Sequence, residues 1–280
     1  VHEFKIDGPA FKEGSPIHIS VAALDSFQSI LDKSYLVLAG AKRMSAKDRE
    51  IFYLRATSFR QGSLLTNFEI VLSGIQLGLP FVSSFGPQNF WEYTKDSFSF
   101  LKNVCTAVQK NEKPTYEFNN QGDASVHIGD NHYHYHAPVI QIAELALPNY
   151  QDLAHLIDPL KVNKILSKPA NQEEPDIYIG PKDRGMFDIP TRIEKETVYL
   201  KCEIYDFNKY KNKGKLSVKI PEQAVPQGDY NFEIFGSQDN VEYIYSMLKP
   251  LVELYCLIEM ESNPFGDDKV NKLHITGVNS

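Results

Sequence analysis

Four of the chain's eight histidines fall in one stretch, "VHIGDNHYHYHAP", at His127, His132, His134 and His136. Imidazoles two residues apart on a strand share a face, and the chemistry such a set offers is metal ligation. The stretch reads as a hairpin. A two-residue turn at Asp130 and Asn131 sets Ile128 opposite Tyr133, Val126 opposite Tyr135 and His127 opposite His134. One face then carries Val126, Ile128, Tyr133 and Tyr135, and the other carries the four histidines. Zinc needs ring nitrogens at about 2 Å in a tetrahedron, whereas neighbours on a flat hairpin sit about 5 Å apart. The first expectation is therefore a water-facing polar side or an oligomer contact. Zinc at His127, His132, His134 and His136 is the alternative, and it needs a further element to bring the rings together. Crowded imidazoles repel once protonated, so this segment is expected to loosen below about pH 6.

A second set of residues lies in "YDFNKYKNKGK", 205–215. Lys209, Lys211, Lys213 and Lys215 are interleaved with Phe207 and Tyr210. Lysines meet phosphates and aromatic rings stack on bases, so these six are the candidate single-stranded nucleic-acid or nucleotide site. The competing reading is a solvated hairpin tip whose charges keep a sheet edge from aggregating. Glu203 and Asp206 near Lys201 resemble part of a nuclease acid cluster, but no upstream acidic element completes it. Arg60 and Ser63 flank a glycine turn that offers an anion contact. No GxxxxGK[ST], GxGxxG or GxSxG motif occurs.

The elements that must position these residues follow from periodicity. "HEFKIDG" reads as a short strand ended by Gly8 and Pro9. Leu24, Phe27, Leu31, Tyr35 and Leu38 make one apolar helical face over 20–44. Runs 50–58 and 64–73 look like an antiparallel pair, and 78–88 like a turn region. Trp91, Phe98, Leu101, Cys105 and Val108 mark a second helix over 89–110, with Thr94 in the gap of the stripe. The aromatics of "QNFWEYTKDSFSF" are core at this spacing. Two short helices are expected at 139–146 and 150–166, separated by Pro148 and interrupted at Pro159. The Pro-rich, charged stretch that follows reads as a linker.

From "ETVYLKCEIYDF" onward the order is three strands, a helix capped by Asp239 or Asn240, and two strands. This order resembles the OB-fold, a five-stranded Greek-key barrel. The resemblance places the 205–215 loop between the first two strands, where such barrels grip ligands. The N-terminal half resembles uncharacterised bacterial and phage proteins in the run "FRQGSLLTNFEIV" and in the Gly-Asp-Asn hairpin. That resemblance implies a conflict setting, either defence or counter-defence.

The expected fold class is α+β. An N-terminal α/β sandwich-like unit has antiparallel strands and two long helices, and a five-stranded OB-like barrel follows. The expected divisions are an N-terminal domain at 1–115, a hairpin and short-helix assembly segment at 116–166, a linker at 167–192 and the barrel at 193–280.

With 29 basic against 36 acidic residues, the net charge of −7 argues against broad nucleic-acid binding. Cys105, Cys202 and Cys256 form no CxxC pair and read as buried, reduced thiols. No apolar run reaches the roughly 20 residues of a membrane span, and the first residues carry no signal core. These readings point to a cytoplasmic, non-catalytic interaction or assembly protein, with a protein partner, self-association, no membrane and no cofactor. Single-stranded nucleic-acid binding by the barrel, or a metal-dependent enzyme at the histidines, are the alternatives.

Overall fold

The computed structural model describes residues 1–60, 64–72, 87–120, 123–221 and 224–279. They form two compact units, Val1–Asp188 and Ile189–Ser280. Both mix helices with mainly antiparallel strands, so the α+β class holds.

In the first unit, chain order runs β1 (His2–Asp7), α1 (Ile17–Ala39), α2 (Ala46–Ile51), β2 (Phe52–Arg60), β3 (Leu64–Leu72) and α3 (Pro87–Gln109). Then come β4 (Thr115–Phe118), β5 (Ala124–Ile128), β6 (Asn131–Tyr135), α4 (Ala137–His155), β7 (Lys164–Pro169) and β8 (Ile177–Ile179). An antiparallel sheet has the order β2-β3-β1-β7-β8. Alternation along β3 buries Leu64, Thr66, Phe68 and Ile70. Aromatic stacking ties this sheet to α1: Phe4 lies 4.3 Å from Phe27, and Tyr35 lies 4.8 Å from Phe52. Thr94, in the gap of the α3 stripe, is buried with Oγ1 2.9 Å from Ser34 Oγ of α1. Its hydroxyl is thereby satisfied within the core.

Three expectations change here. The first helix stops at Ala39, because Gly40 takes φ 64° and its N–H bonds back to the Leu36 and Val37 carbonyls. Glycine enters this left-handed conformation without a Cβ penalty. The two short helices expected around Pro148 are one helix, α4, with Pro148 inside it. Ile142, Ala143 and Ala146 are buried before the proline and Tyr150, Leu153 and Ala154 after it. Burial on both sides outweighs the hydrogen bond and clearance that proline costs. Helix is expected as far as 166, but α4 ends at His155 and the chain enters β7 at Lys164.

The stretch 167–192 is expected to be a linker, but it lies within the first unit as far as Asp188, and the end of β7 and all of β8 join that unit's sheet. β7 pairs with β1, Ser167 donates to the Glu3 carbonyl at 2.8 Å, and Ile177 and Ile179 of β8 are buried. Pro169 is the last residue of β7, and Pro175 and Pro181 lie on either side of the edge strand β8, outside its ladder. The readings placed on 61–63, including the anion contact of Arg60 and Ser63, and on 78–86 lie outside the described residues.

The second unit contains β9 (Thr191–Ile193), β10 (Val198–Asn208), β11 (Lys213–Ile220), β12 (Gly228–Ile234), α5 (Asn240–Ser246), β13 (Val252–Glu261) and β14 (Lys269–Asn279). Pairing runs β10-β11-β12-β14-β13 and returns from β13 to β10, which closes a five-stranded barrel. The β12–β14 contact is parallel and the others are antiparallel. This closed mixed barrel, with its helix between the third and fourth strands, is consistent with the OB-like expectation. Inward residues of every barrel strand form the core, among them Leu200, Ile204, Leu216, Phe232, Leu254 and Ile275. Asp239 caps α5 by accepting from Val241 N–H at 2.9 Å. The helix closes one barrel end with Tyr243, whose ring stacks 5.5 Å from Phe207 and 6.3 Å from Phe232.

Candidate functional site

The histidine hairpin keeps its two faces but not its expected register. β5 and β6 pair His127 with His132, Val126 with Tyr133 and Ala124 with Tyr135. The turn is Gly129-Asp130, and Gly129 takes φ 55°. A tight hairpin turn with positive φ at its first central residue favours glycine there, which moves the turn one residue earlier than Asp130-Asn131. Partners shift by two residues, so each side chain stays on the same face. The apolar face packs on α3: Phe100 lies 4.8 Å from Tyr135, and Asn103 donates to the Tyr135 hydroxyl at 2.9 Å.

On the other face, His127, His132 and His134 form a row with ring centroids 4.2 and 4.5 Å apart. His134 Nδ1 is 3.1 Å from Ser125 Oγ, and His127 Nε2 is 4.0 Å from Glu117. His136 does not join them. It is the residue that precedes α4, and its Nδ1 faces Asp123 at 3.4 Å. Among the described residues no group of three or more His, Cys, Asp or Glu side chains is arranged to hold a metal ion. The rings are tilted by 52° and 45° along a row rather than convergent on a point.

The lysine loop also divides. Phe207 is partly buried and packs against the core, stacked 6.0 Å from Phe232 as well as against Tyr243. It is therefore not a surface platform for a base. Lys213 pairs with Glu233 at 3.4 Å, and Lys272 reaches the same carboxylate at 3.4 Å. Lys215 lies on β11 opposite Asp206 and is exposed. Lys209, Tyr210 and Lys211 remain at the tip. Lys209 Nζ sits 5.2 Å from the Tyr210 ring centroid, and Tyr210 is 88% exposed.

Four glutamates of the barrel strands, Glu203, Glu233, Glu253 and Glu259, are engaged in ion pairs. Glu203 meets Lys219 at 2.7 Å and Glu253 meets Lys201 at 3.6 Å. Glu259 Oε2 lies 2.7 Å from His274 Nε2, with Lys272 at 3.7 Å. Burial disfavours the Glu259 charge, but His274, Asn271 and Lys272 outweigh it and hold the carboxyl below its ordinary range. The three cysteines are free and buried, and burial pushes each thiol up to about 12. At neutral pH they are inert as nucleophiles.

The helix capped at Asp239 is expected from sequence, but its outward apolar face is not. Tyr243 and Ser246 are buried against the barrel, while Val241, Ile244, Tyr245 and Leu248 are 48%, 42%, 62% and 80% exposed. Val241, Ile244 and Tyr245 share one face of α5, and Leu248, in the turn two residues past its end, continues the stripe. Met247 and Leu251 are exposed beside it. The signal was present in "DNVEYIYSMLKP", where six of twelve residues are apolar although so short a helix buries only one side.

Comparison with protein-family models, with curated proteins and with solved structures finds no match to this chain, and the N-terminal resemblance gains no support from it. Among the described residues no helix is long and apolar enough to cross a membrane.

Proposed function

We propose that this chain is a non-catalytic interaction and assembly protein, and that its C-terminal barrel docks a protein partner on the outer face of α5. The observation that carries this reading is the apolar stripe Val241, Ile244, Tyr245 and Leu248. Scattered apolar residues on a surface are ordinary, but a contiguous stripe along a helix and the turn that ends it marks a contact surface. The inner side of α5 is already used to plug the barrel, so barrel packing gives these side chains no role. Tyrosine and long aliphatic residues at helical spacing are also the anchors typical of helix-mediated recognition. Inert thiols and ion-paired carboxylates are in keeping with a role in binding rather than chemistry.

The test is affinity purification from the source cells with the wild-type chain beside an Ile244→Asp/Leu248→Asp variant. The variant should keep its circular dichroism spectrum and lose a partner that the wild type retains. A set of bound proteins identical for both chains contradicts the reading.

A further inference from the structure

The two ends of the barrel differ in chemistry, and the difference is complementary. At one end, the β10–β11 tip projects Lys209, Tyr210 and Lys211. This tip is a built structure rather than a loose loop. Asn208 Oδ1 accepts from the N–H groups of Tyr210 and Lys211 at 3.1 and 3.2 Å. Asn212 takes φ 54°, and Asn240 Nδ2 donates to the Lys209 carbonyl and to Asn212 Oδ1, both at 3.0 Å. A pre-ordered tip loses little conformational freedom when it binds.

At the other end, among the described residues, no helix plugs the barrel, and its core opens into a cleft of about 810 Å³. Its floor is Val198, Ile258, Met260 and Val270, and three of these are only partly buried against the core. Its rim carries Glu194, Glu196, Asp267 and Asp268 with a single lysine, Lys269. Arg192 fixes part of that rim through Glu194 at 3.2 Å and Asp268 at 2.7 Å. An apolar floor inside an acidic rim fits an aromatic side chain flanked by ammonium groups, which is the composition of the tip. The volume lies within the range of roughly 300–1,000 Å³ over which pockets hold compact ligands.

We infer that the cleft of one copy receives the Lys209-Tyr210-Lys211 tip of another, joining barrels head to tail. The tip and the cleft stand at opposite ends of β10, 11 residues long, so they are separated by about 35 Å and a chain cannot fill its own cleft. A contact between two different patches is heterologous, and it propagates into a ring or an open chain rather than stopping at a two-fold dimer. The inference deepens the assembly reading and rests on it for the premise that the chain works within a complex.

The test uses the full chain and two charge variants in sedimentation velocity. The tip variant is Lys209→Glu/Lys211→Glu, and the cleft variant is Glu196→Lys/Asp267→Lys. Wild-type mass should rise with concentration at low salt and fall toward one chain at high salt. Each variant alone should run as a single chain of 31.8 kDa. An equimolar mixture of the two should associate beyond two chains, because each variant's tip is opposite in charge to the other's cleft. A chain carrying all four changes should associate again, which also shows that the variants fold. Wild-type mass fixed at one chain in low salt, or variants that associate as the wild type does, would overturn the inference. Association that survives both charge variants but is lost in Ile244→Asp/Leu248→Asp overturns it while leaving the α5 reading intact. Head-to-tail association without any α5-dependent partner does the reverse.

Discussion

At the level of single residues, two clusters separate structure from chemistry. The histidine row was legible as a row, because alternation alone assigns the faces. Its exact partners were not, because Gly129, Asp130 and Asn131 all accept turn geometry and only the backbone decides which of them turns. The exclusion of His136 depended on where α4 begins. Three rings strung along a row do not converge on one metal position. Titration calorimetry with zinc should therefore show no saturable site; a one-to-one site abolished by His132→Ala would contradict this. Glu259 makes the second cluster. Its folded pKa is lowered, so its contribution to stability is complete above the unfolded carboxyl value near 4.3 and is lost as pH falls through the lower folded value. Glu259→Gln should cost about 1–2 kcal/mol at neutral pH and flatten the acid limb of stability below about pH 4.5. Urea unfolding at a series of pH values reads both effects.

At the level of elements, the barrel was readable from its sequence because each strand alternates and each turn is marked. Helix ends and the connecting stretch were harder, since local breakers were overruled by burial. Pro148 is exposed within α4, and the helix runs through it. Pro148→Ala restores an N–H donor without disturbing the core, and should raise stability by about 1–3 kcal/mol in thermal unfolding. A lower melting temperature would mean that the proline's bend is needed for packing. Gly214 shows the opposite case, a glycine that the barrel requires. A Cβ there would sit 2.2 Å from the Asp206 carbonyl oxygen and 2.6 Å from the Phe232 ring. Gly214→Ala should destabilise by about 1–3 kcal/mol, because backbone and a core ring must both move. The stripe on α5 was legible in composition, but which side of the helix faced the barrel depended on Tyr243 meeting Phe207 and Phe232. That long-range stacking is invisible to periodicity in a helix of two turns.

At the scale of the whole molecule, the chain divides near residue 188, later than the start of the Pro-rich stretch, because β7 and β8 complete the first sheet. The composition of a linker and that of a short edge strand overlap, and only the partner strand β1, more than 150 residues earlier in the chain, tells them apart. Each unit has its own core, and the barrel's edges are closed by β10–β13 pairing. The central claim is that the outer face of α5 is where this protein meets its partner. The measurement that tests it most directly is titration calorimetry of the recovered partner against the wild type and against Ile244→Asp/Leu248→Asp. Burying two carboxylates in an apolar contact should weaken binding by about 100-fold or more, roughly 2.7 kcal/mol. Equal affinity for the two chains would contradict the account.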